Sequence, residues 1–238
     1  MPRSLTLVTP THDRPEAFSL CERWMSRQTY DLPLQWIVVD DGVTPVQTTM
    51  NQQVVRLDPV NIPRESFRKN YLEALQHVKG DTVVFIEDDD WYSVDYLEHI
   101  DGLLTTGRTL VGQRWPRYYN VRYLKYLIHK NSTHHSSLCQ TAMDVKWIPT
   151  VTEFLRSSPA PERLDTFLWK RLGVPQSAKR LEPRSTKCVG MKGLSKSFVG
   201  IHHTERSIRY YQPDTNGDVL RSWIGDDAET YLKLNLSD

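Results

Sequence analysis

Three short polar clusters in the 238-residue chain gather side chains able to do chemistry: Thr9-Pro-Thr-His-Asp13, Asp40-Asp41-Gly42 and Glu87-Asp88-Asp89-Asp90. The last is the most informative. Four adjacent carboxylates repel one another and raise one another's pKa values unless a cation sits among them. A hard divalent ion, Mg²⁺ or Mn²⁺, prefers oxygen ligands and supplies that charge. One carboxylate can then hold the metal while a neighbour takes ribose hydroxyls. The plain alternative is a solvated acidic turn, as most charge runs are, but this run follows an apolar segment and leads into Trp91-Tyr92, which favours a docked site.

Each cluster closes a run that must be a strand. Leu5–Thr9 is short and rich in β-branched residues, Trp36–Asp40 and Thr82–Ile86 are continuously apolar, and Val54–Leu57 is a shorter companion. Continuous apolar runs are expected where a parallel strand is covered on both faces. Between them, Pro15 and Glu16 open a helix carrying Phe18, Cys21, Trp24 and Met25, and Phe67, Tyr71, Leu75 and Val78 recur at helical spacing until Gly80. The order β-α-β-β-α-β predicts an α/β fold, a mostly parallel sheet flanked by helices, with ligands in the crevice outside the strands' carboxyl ends. Beyond residue 101, Ser137–Met143 reads as a strand and Leu164, Phe167, Leu168 and Leu172 as a helical stripe ended by Gly173. Residues 173–200, rich in Lys, Ser and Gly, read as a mobile loop.

The segments Leu-Val-Thr-Pro-Thr-His-Asp-Arg-Pro, Ile-Val-Val-Asp-Asp-Gly and Val-Phe-Ile-Glu-Asp-Asp-Asp-Trp-Tyr-Ser-Val-Asp-Tyr-Leu together resemble the family 2-like glycosyltransferases of the GT-A fold, in order and spacing over residues 1 to about 101. The resemblance implies a nucleotide-sugar donor, usually a UDP-sugar, held with a divalent metal through a D-x-D-type motif. It places the motif on Glu87 and Asp89 or one residue later. Asp89 is taken as the metal ligand, with Asp88 and Asp90 sharing ribose and metal duties. Thr9, Pro10 and Thr11 would flank the pyrimidine, Asp40 would accept from its N3–H, and Arg64 would lie near base and diphosphate. The segment Pro161–Leu172 resembles the family's helix bearing the catalytic base, which falls on Asp165, although Leu164 stands where the family has Glu. Of His202 and His203, one would complete the metal shell, with Arg206 or Arg209 on phosphate. His134-His135 reads as a surface or acceptor-loop pair.

The net charge of +1 hides a division. Residues 1–101 carry 9 Lys+Arg against 17 Asp+Glu, residues 102–211 carry 19 against 6, and residues 212–238 carry 2 against 6. The chain thus reads as one domain over 1–238, with a donor half (1–101) and an acceptor half (102–238) whose basic part, 102–211, suits a polyanion. Arg114–Tyr126 interleaves cations with aromatics, a composition that tracks phosphates and stacks bases. A hydroxymethylated pyrimidine in DNA, extruded from the duplex, is the expected acceptor, as in phage-type DNA base glycosyltransferases. A surface polysaccharide or other glycan, and a non-catalytic nucleic-acid-binding protein, are the alternatives. There is no G-x-G-x-x-G and no G-x-x-x-x-G-K-[ST], which disfavours dinucleotide oxidoreductases and P-loop NTPases. No apolar run approaches the roughly 18–20 residues of a membrane span, and three scattered cysteines indicate no disulfide framework. A cytoplasmic protein, in the host cytoplasm if phage-encoded, with no obligate protein partner is expected.

Overall fold

A computed structural model describes residues 4–104, 107–130, 134–157, 163–182, 186–194 and 206–234. In chain order the elements are β1 (Leu5–Thr11), α1 (Pro15–Met25), β2 (Leu34–Asp40), β3 (Gln53–Arg56), α2 (Pro63–Gln76), β4 (Thr82–Phe85), β5 (Trp91–Tyr92), α3 (Tyr96–Leu103), β6 (Leu110–Gln113), β7 (Arg117–Asn120) and β8 (Lys125–Ile128). They continue with β9 (Thr141–Asp144), α4 (Ile148–Ser157), α5 (Leu164–Lys170), β10 (Lys179–Glu182), β11 (Cys188–Lys192), β12 (Gln212–Pro213), α6 (Asp218–Ile224) and α7 (Ala228–Leu234).

The main sheet has seven strands in the order β10-β6-β9-β4-β1-β2-β3. Pairings β4/β1, β1/β2, β2/β3 and β6/β10 are parallel, while β9 runs antiparallel between β4 and β6. The apolar runs are continuous because successive side chains feed different cores. Val38, Val84 and Ile86 enter one with α1, α3, α6 and α7, whereas Ile37, Val39, Val83 and Phe85 enter another with α2, α4 and α5. At about 1.5–3 kcal/mol per fully buried aliphatic or Phe side chain, these strands anchor the molecule. The α/β fold with helices on both sheet faces is as expected, with one antiparallel strand set into a mostly parallel order.

A second sheet, β12-β8-β7-β11-β5, lies across the basic half. Here the described part of the segment expected as a mobile loop contains two strands: β10 closes the edge of the main sheet, and β11 is buried throughout, between β7 and β5. Gly190 makes β11 possible, because a Cβ there would come within 2.5 Å of the Tyr118 ring. The expected strand at 137–143 is a 3-10 turn at Leu138–Gln140 followed by β9. The carboxyl-terminal helices reach back to the acidic segment. Asp227 accepts from Trp91 Nε1 at 2.9 Å and pairs with Arg27, while Trp24 Nε1 donates to Tyr231 Oη at 2.7 Å. No described helix is long and apolar enough to cross a membrane.

Candidate active site

Parallel pairing brings the three polar clusters to one sheet edge. Thr11 is in register with Asp40, and Val8 with Phe85, so β1, β2 and β4 deliver their carboxyl ends side by side. After β1 the chain turns through Asp13, at φ 45°, whose carboxylate accepts from Val43 N and Thr44 N, each at 3.0 Å. Gly42 allows this contact, since a Cβ there would lie 2.7 Å from Asp13 N. The two loops are thereby locked together.

Around Asp40 and Asp41 the polar groups are matched internally. Asp40 accepts from Gly42 N at 2.8 Å and Val46 N at 2.6 Å and is paired with Arg56. Asp41 Oδ1 accepts from Ser66 Oγ at 3.0 Å and Asn70 Nδ2 at 2.8 Å, and lies 3.0 Å from His12 Nδ1. Two expectations change. Thr9 is fully buried, its hydroxyl accepting from Trp36 Nε1 at 2.9 Å, so its side chain does not line a base pocket. Asp40 is 1% exposed with both oxygens engaged, so it does not present a carboxylate to a pyrimidine N3–H. Pro10 is half-buried, Thr11 is buried and Arg64 is exposed in the first turn of α2.

The acidic run sorts into four roles. Asp88, expected on ribose, has no exposed surface and lies 2.5 Å from Arg14 Nη2. Asp90 also faces inward, accepting from Met191 N at 2.9 Å and from Lys192 Nζ at 3.0 Å. Asp89, 3.2 Å from Lys192 Nζ, keeps 7% of its surface, and Glu87 is half-buried and the most accessible of the four. Burial raises the pKa of Asp88 to about 6 even with Arg14 beside it, and raises Glu87 and Asp90 in the same direction against the pull of Lys192. Burial alone would lower the pKa values of Arg14 and Lys192, but the surrounding carboxylates outweigh it and raise both. Both cations stay charged. Buried Lys192 and partly buried Arg14 among four carboxylates leave two negative charges when all ionise, the complement of one divalent ion. Asp90 Oδ2 is moreover a buried oxygen without a hydrogen-bond donor. The all-oxygen donors therefore fit a hard cation.

Among the described residues, Asp90, Cys139 and Cys188 form a converging set of potential metal ligands, with ligand atoms within 4.8 Å of one another. The hydrogen bond to Cys188 and then burial raise the Cys139 pKa, and burial raises that of Cys188, so both thiols stay protonated as core groups.

Asp165 occupies the first turn of α5, half-buried, with Oδ2 3.1 Å from His135 Nε2 and Oδ1 accepting from Thr166 N at 2.7 Å. It is near enough to Glu87 for its charge to add to the rise of the Glu87 pKa. His135 lies in a loop, as expected, and from it reaches Asp165. Lys192, Arg14, Arg56 and His135 are the polar partners that sequence reasoning left without a role; Arg14 alone lies inside a recognised motif. Arg206 and Arg209 are exposed on the segment that leads to buried Tyr211, whose hydroxyl feels the charge of Lys192. His202 and His203 lie outside the described residues. The Arg114–Tyr126 stretch is not an exposed stacking surface: Tyr119 is buried, Tyr118 and Tyr126 are partly buried, and Trp223 packs edge-on against Tyr126 and beneath Arg117.

A Rossmann-like sheet whose parallel strands end in a D-x-D-type carboxylate cluster defines a nucleotide-sugar transferase architecture. The profile of glycosyl transferase family 2 matches residues 6–160, about two thirds of the chain, and the protein belongs to that family. Among solved structures it is similar to TarS of S. aureus, at 10% identity and TM-score 0.55, covering 98% of this chain and 43% of that one. It is also similar to TarS 1–349 in complex with UDP-GlcNAc, at 12% identity and TM-score 0.56, covering 98% and 71%. The mannosyltransferase PcManGT from Pyrobaculum calidifontis, in complex with GDP-Man and Mn²⁺, is similar at 13% identity and TM-score 0.55, covering 100% and 74%. At such identities these likenesses show the GT-A fold. The chain spans less than half of the full TarS chain and about seven tenths of the other two. No curated protein sequence matches the chain significantly.

Proposed function

We propose that the protein transfers a sugar from a nucleotide sugar, UDP-sugars first, to an acceptor hydroxyl with inversion of configuration. The carrying observation is the acidic edge: four carboxylates, the cations Arg14 and Lys192 among them, and Asp165 near enough for its charge to reach Glu87. Glu87 and Asp89 are the carboxylates with access to a ligand and would hold a divalent cation and ribose hydroxyls between them. A bound Mn²⁺ or Mg²⁺ would neutralise the diphosphate as it leaves. Asp90 and Lys192 fix Asp89 from behind, and Arg14 holds Asp88 as a buried support. Asp165 takes the proton of the acceptor hydroxyl as that oxygen attacks the anomeric carbon and the bond to the diphosphate breaks. Arg206 and Arg209 would meet phosphate, and one of His202 and His203 would join the metal.

The acceptor carries negative charge in this reading, and a hydroxymethylated pyrimidine in DNA is the particular acceptor to test. Its support is the charge excess of residues 102–211. Incubation with UDP-sugars and Mn²⁺ should release UDP, and Asp89→Ala should lower the rate about 10²–10³-fold, the usual loss on removing one electrostatic stabiliser. An unchanged rate in that variant would falsify the assignment. A mass gain on hydroxymethylated, but not unmodified, duplex DNA is the result expected of the DNA acceptor; no gain with any donor rejects it while leaving the donor chemistry standing.

A further inference from the structure

A second charged site lies away from the acidic cluster, on the edge of the main sheet where β6 pairs with β10. Parallel register puts Leu110 beside Lys179 and Gln113 beside Glu182, with Arg108 just before β6 and Arg114 just after it. Four basic residues are thereby gathered along one short edge. Arg108, Arg114, Lys179 and Arg180 line a pocket of about 290 Å³, together with His134 and Trp169, and no carboxylate is among its lining residues. Arg180 has Glu182 at 3.6 Å, but among the described residues Arg108, Arg114 and Lys179 have no acidic partner. They are braced on neutral oxygens. Arg108 Nη1 donates to Lys179 O at 2.9 Å, and Lys179 Nζ donates to Trp169 O at 2.8 Å. Arg114 Nε is buried without a hydrogen-bond acceptor, and partial burial lowers the pKa of Lys179. Gathering these cations in a partly buried pocket with no counter-charge is costly unless an anion completes it.

Two residues lining the pocket are near in the chain to the proposed base and its partner. Trp169 stands one turn beyond Asp165 on α5, a rise of about 6 Å along the axis, and His134 precedes His135, which touches Asp165. We propose that Arg108, Arg114, Lys179 and Arg180 form an anion subsite that takes a phosphate group carried by the acceptor, holding it while Asp165 meets the hydroxyl. Arginine forks and an ammonium are suited to phosphate oxygens, and Trp169 and Leu181 give the pocket an apolar wall for the carbon chain next to the phosphate. The inference rests on the transferase reading, and its test separates the two.

The full chain is saturated with UDP and Mg²⁺ to fill the donor site, then titrated calorimetrically with inorganic phosphate and, separately, with a pentathymidylate and a glycerol phosphodiester. One further phosphate should bind per chain, at least one of the two esters should compete with it, and the double variant Arg114→Gln, Lys179→Gln should weaken both at least tenfold with UDP affinity unchanged. Absence of saturable phosphate binding, binding unaffected by the double substitution, or binding of inorganic phosphate with no competition from either ester would overturn the proposal. If UDP itself does not bind, the donor reading fails, and the phosphate titration of the UDP-free chain still reads the pocket.

Discussion

The acidic cleft and the basic pocket are charge imbalances of opposite sign on one sheet, and they are built differently. In the cleft the imbalance is partly repaired from within, since Arg14 and Lys192 pair with Asp88, Asp89 and Asp90 and, of the four carboxylates, only Glu87 and Asp89 retain access. In the pocket there is little repair: among the described residues one carboxylate, Glu182, approaches Arg180 alone, and Arg108 and Lys179 lean on backbone oxygens. A site for a small, doubly charged ion can be dry and rigid, with its residual charge fixed by the fold. A pocket for a group arriving on a larger molecule has to stay open, and its charge awaits the ligand.

That contrast is broken most directly by removing one cation from each site. Lys192→Met leaves buried carboxylates without their ammonium, and truncating one partner of a buried pair costs about 3–5 kcal/mol. For a chain of this size the melting temperature should fall by roughly 6–20 °C, and Mg²⁺ should restore part of the loss. Lys179→Met removes a cation that has no acidic partner among the described residues, and should cost no more than its one bond to Trp169 O, about 1 kcal/mol or roughly 2–4 °C. Equal effects in differential scanning calorimetry would show that the two sites are not built differently.

The two sites were unequally legible in the sequence. Strands β1, β2 and β4 could be read because each is an apolar run closed by chemistry-bearing residues, and a parallel sheet sends such ends to one edge. Lys192 could not be read, because Cys188-Val-Gly-Met-Lys192 is short, contains a glycine and is flanked by basic and small residues. Only pairing with Tyr118 to Asn120 and with Trp91-Tyr92, distant in sequence, makes it a buried strand. The inward turn of Asp88 and Asp90 is equally non-local, set by Arg14 and by Met191 N. In the basic half, composition showed the charge but not its place. The interleaved aromatics of 114–126 went into the packing, and the exposed function passed to Arg108, Arg114 and β10, which no periodicity connects.

The cleft's internal repair is incomplete, and pH sharpens this. With its carboxyl raised from 3.8 to about 6, first by burial, Asp88 binds its proton more tightly in the folded state than in the unfolded chain. Stability conferred by the neutral form is present below about pH 4 and is lost as pH rises toward 6, because the unfolded state releases the proton first. At 1.36 kcal/mol per pKa unit the loss is on the order of 3 kcal/mol. Thermal melts without metal should therefore fall between about pH 4 and 6 relative to those of Asp88→Asn. Added Mg²⁺ should raise the wild-type melting temperature more at pH 7 than at pH 5. A difference from Asp88→Asn that does not change with pH would show that Arg14 neutralises its partner completely.

The smallest effect lies where the two sites meet. His135 contacts Asp165 Oδ2 from the segment that also brings His134 to the basic pocket, so it is a positioning residue for the proposed base rather than a proton carrier at the acceptor. With the imidazole gone, Asp165 retains its bond from Thr166 N and its place on α5 but loses one of two constraints on its carboxylate. His135→Ala should lower kcat about tenfold, a cost near 1.4 kcal/mol, while KM for the nucleotide sugar and its hydrolysis in the absence of acceptor stay unchanged. His135→Gln, which keeps a polar side chain beside Asp165, should recover part of the rate. A rise in donor KM in His135→Ala would place the residue in the donor site instead. Loss of phosphate binding without loss of kcat would assign the segment to the pocket alone.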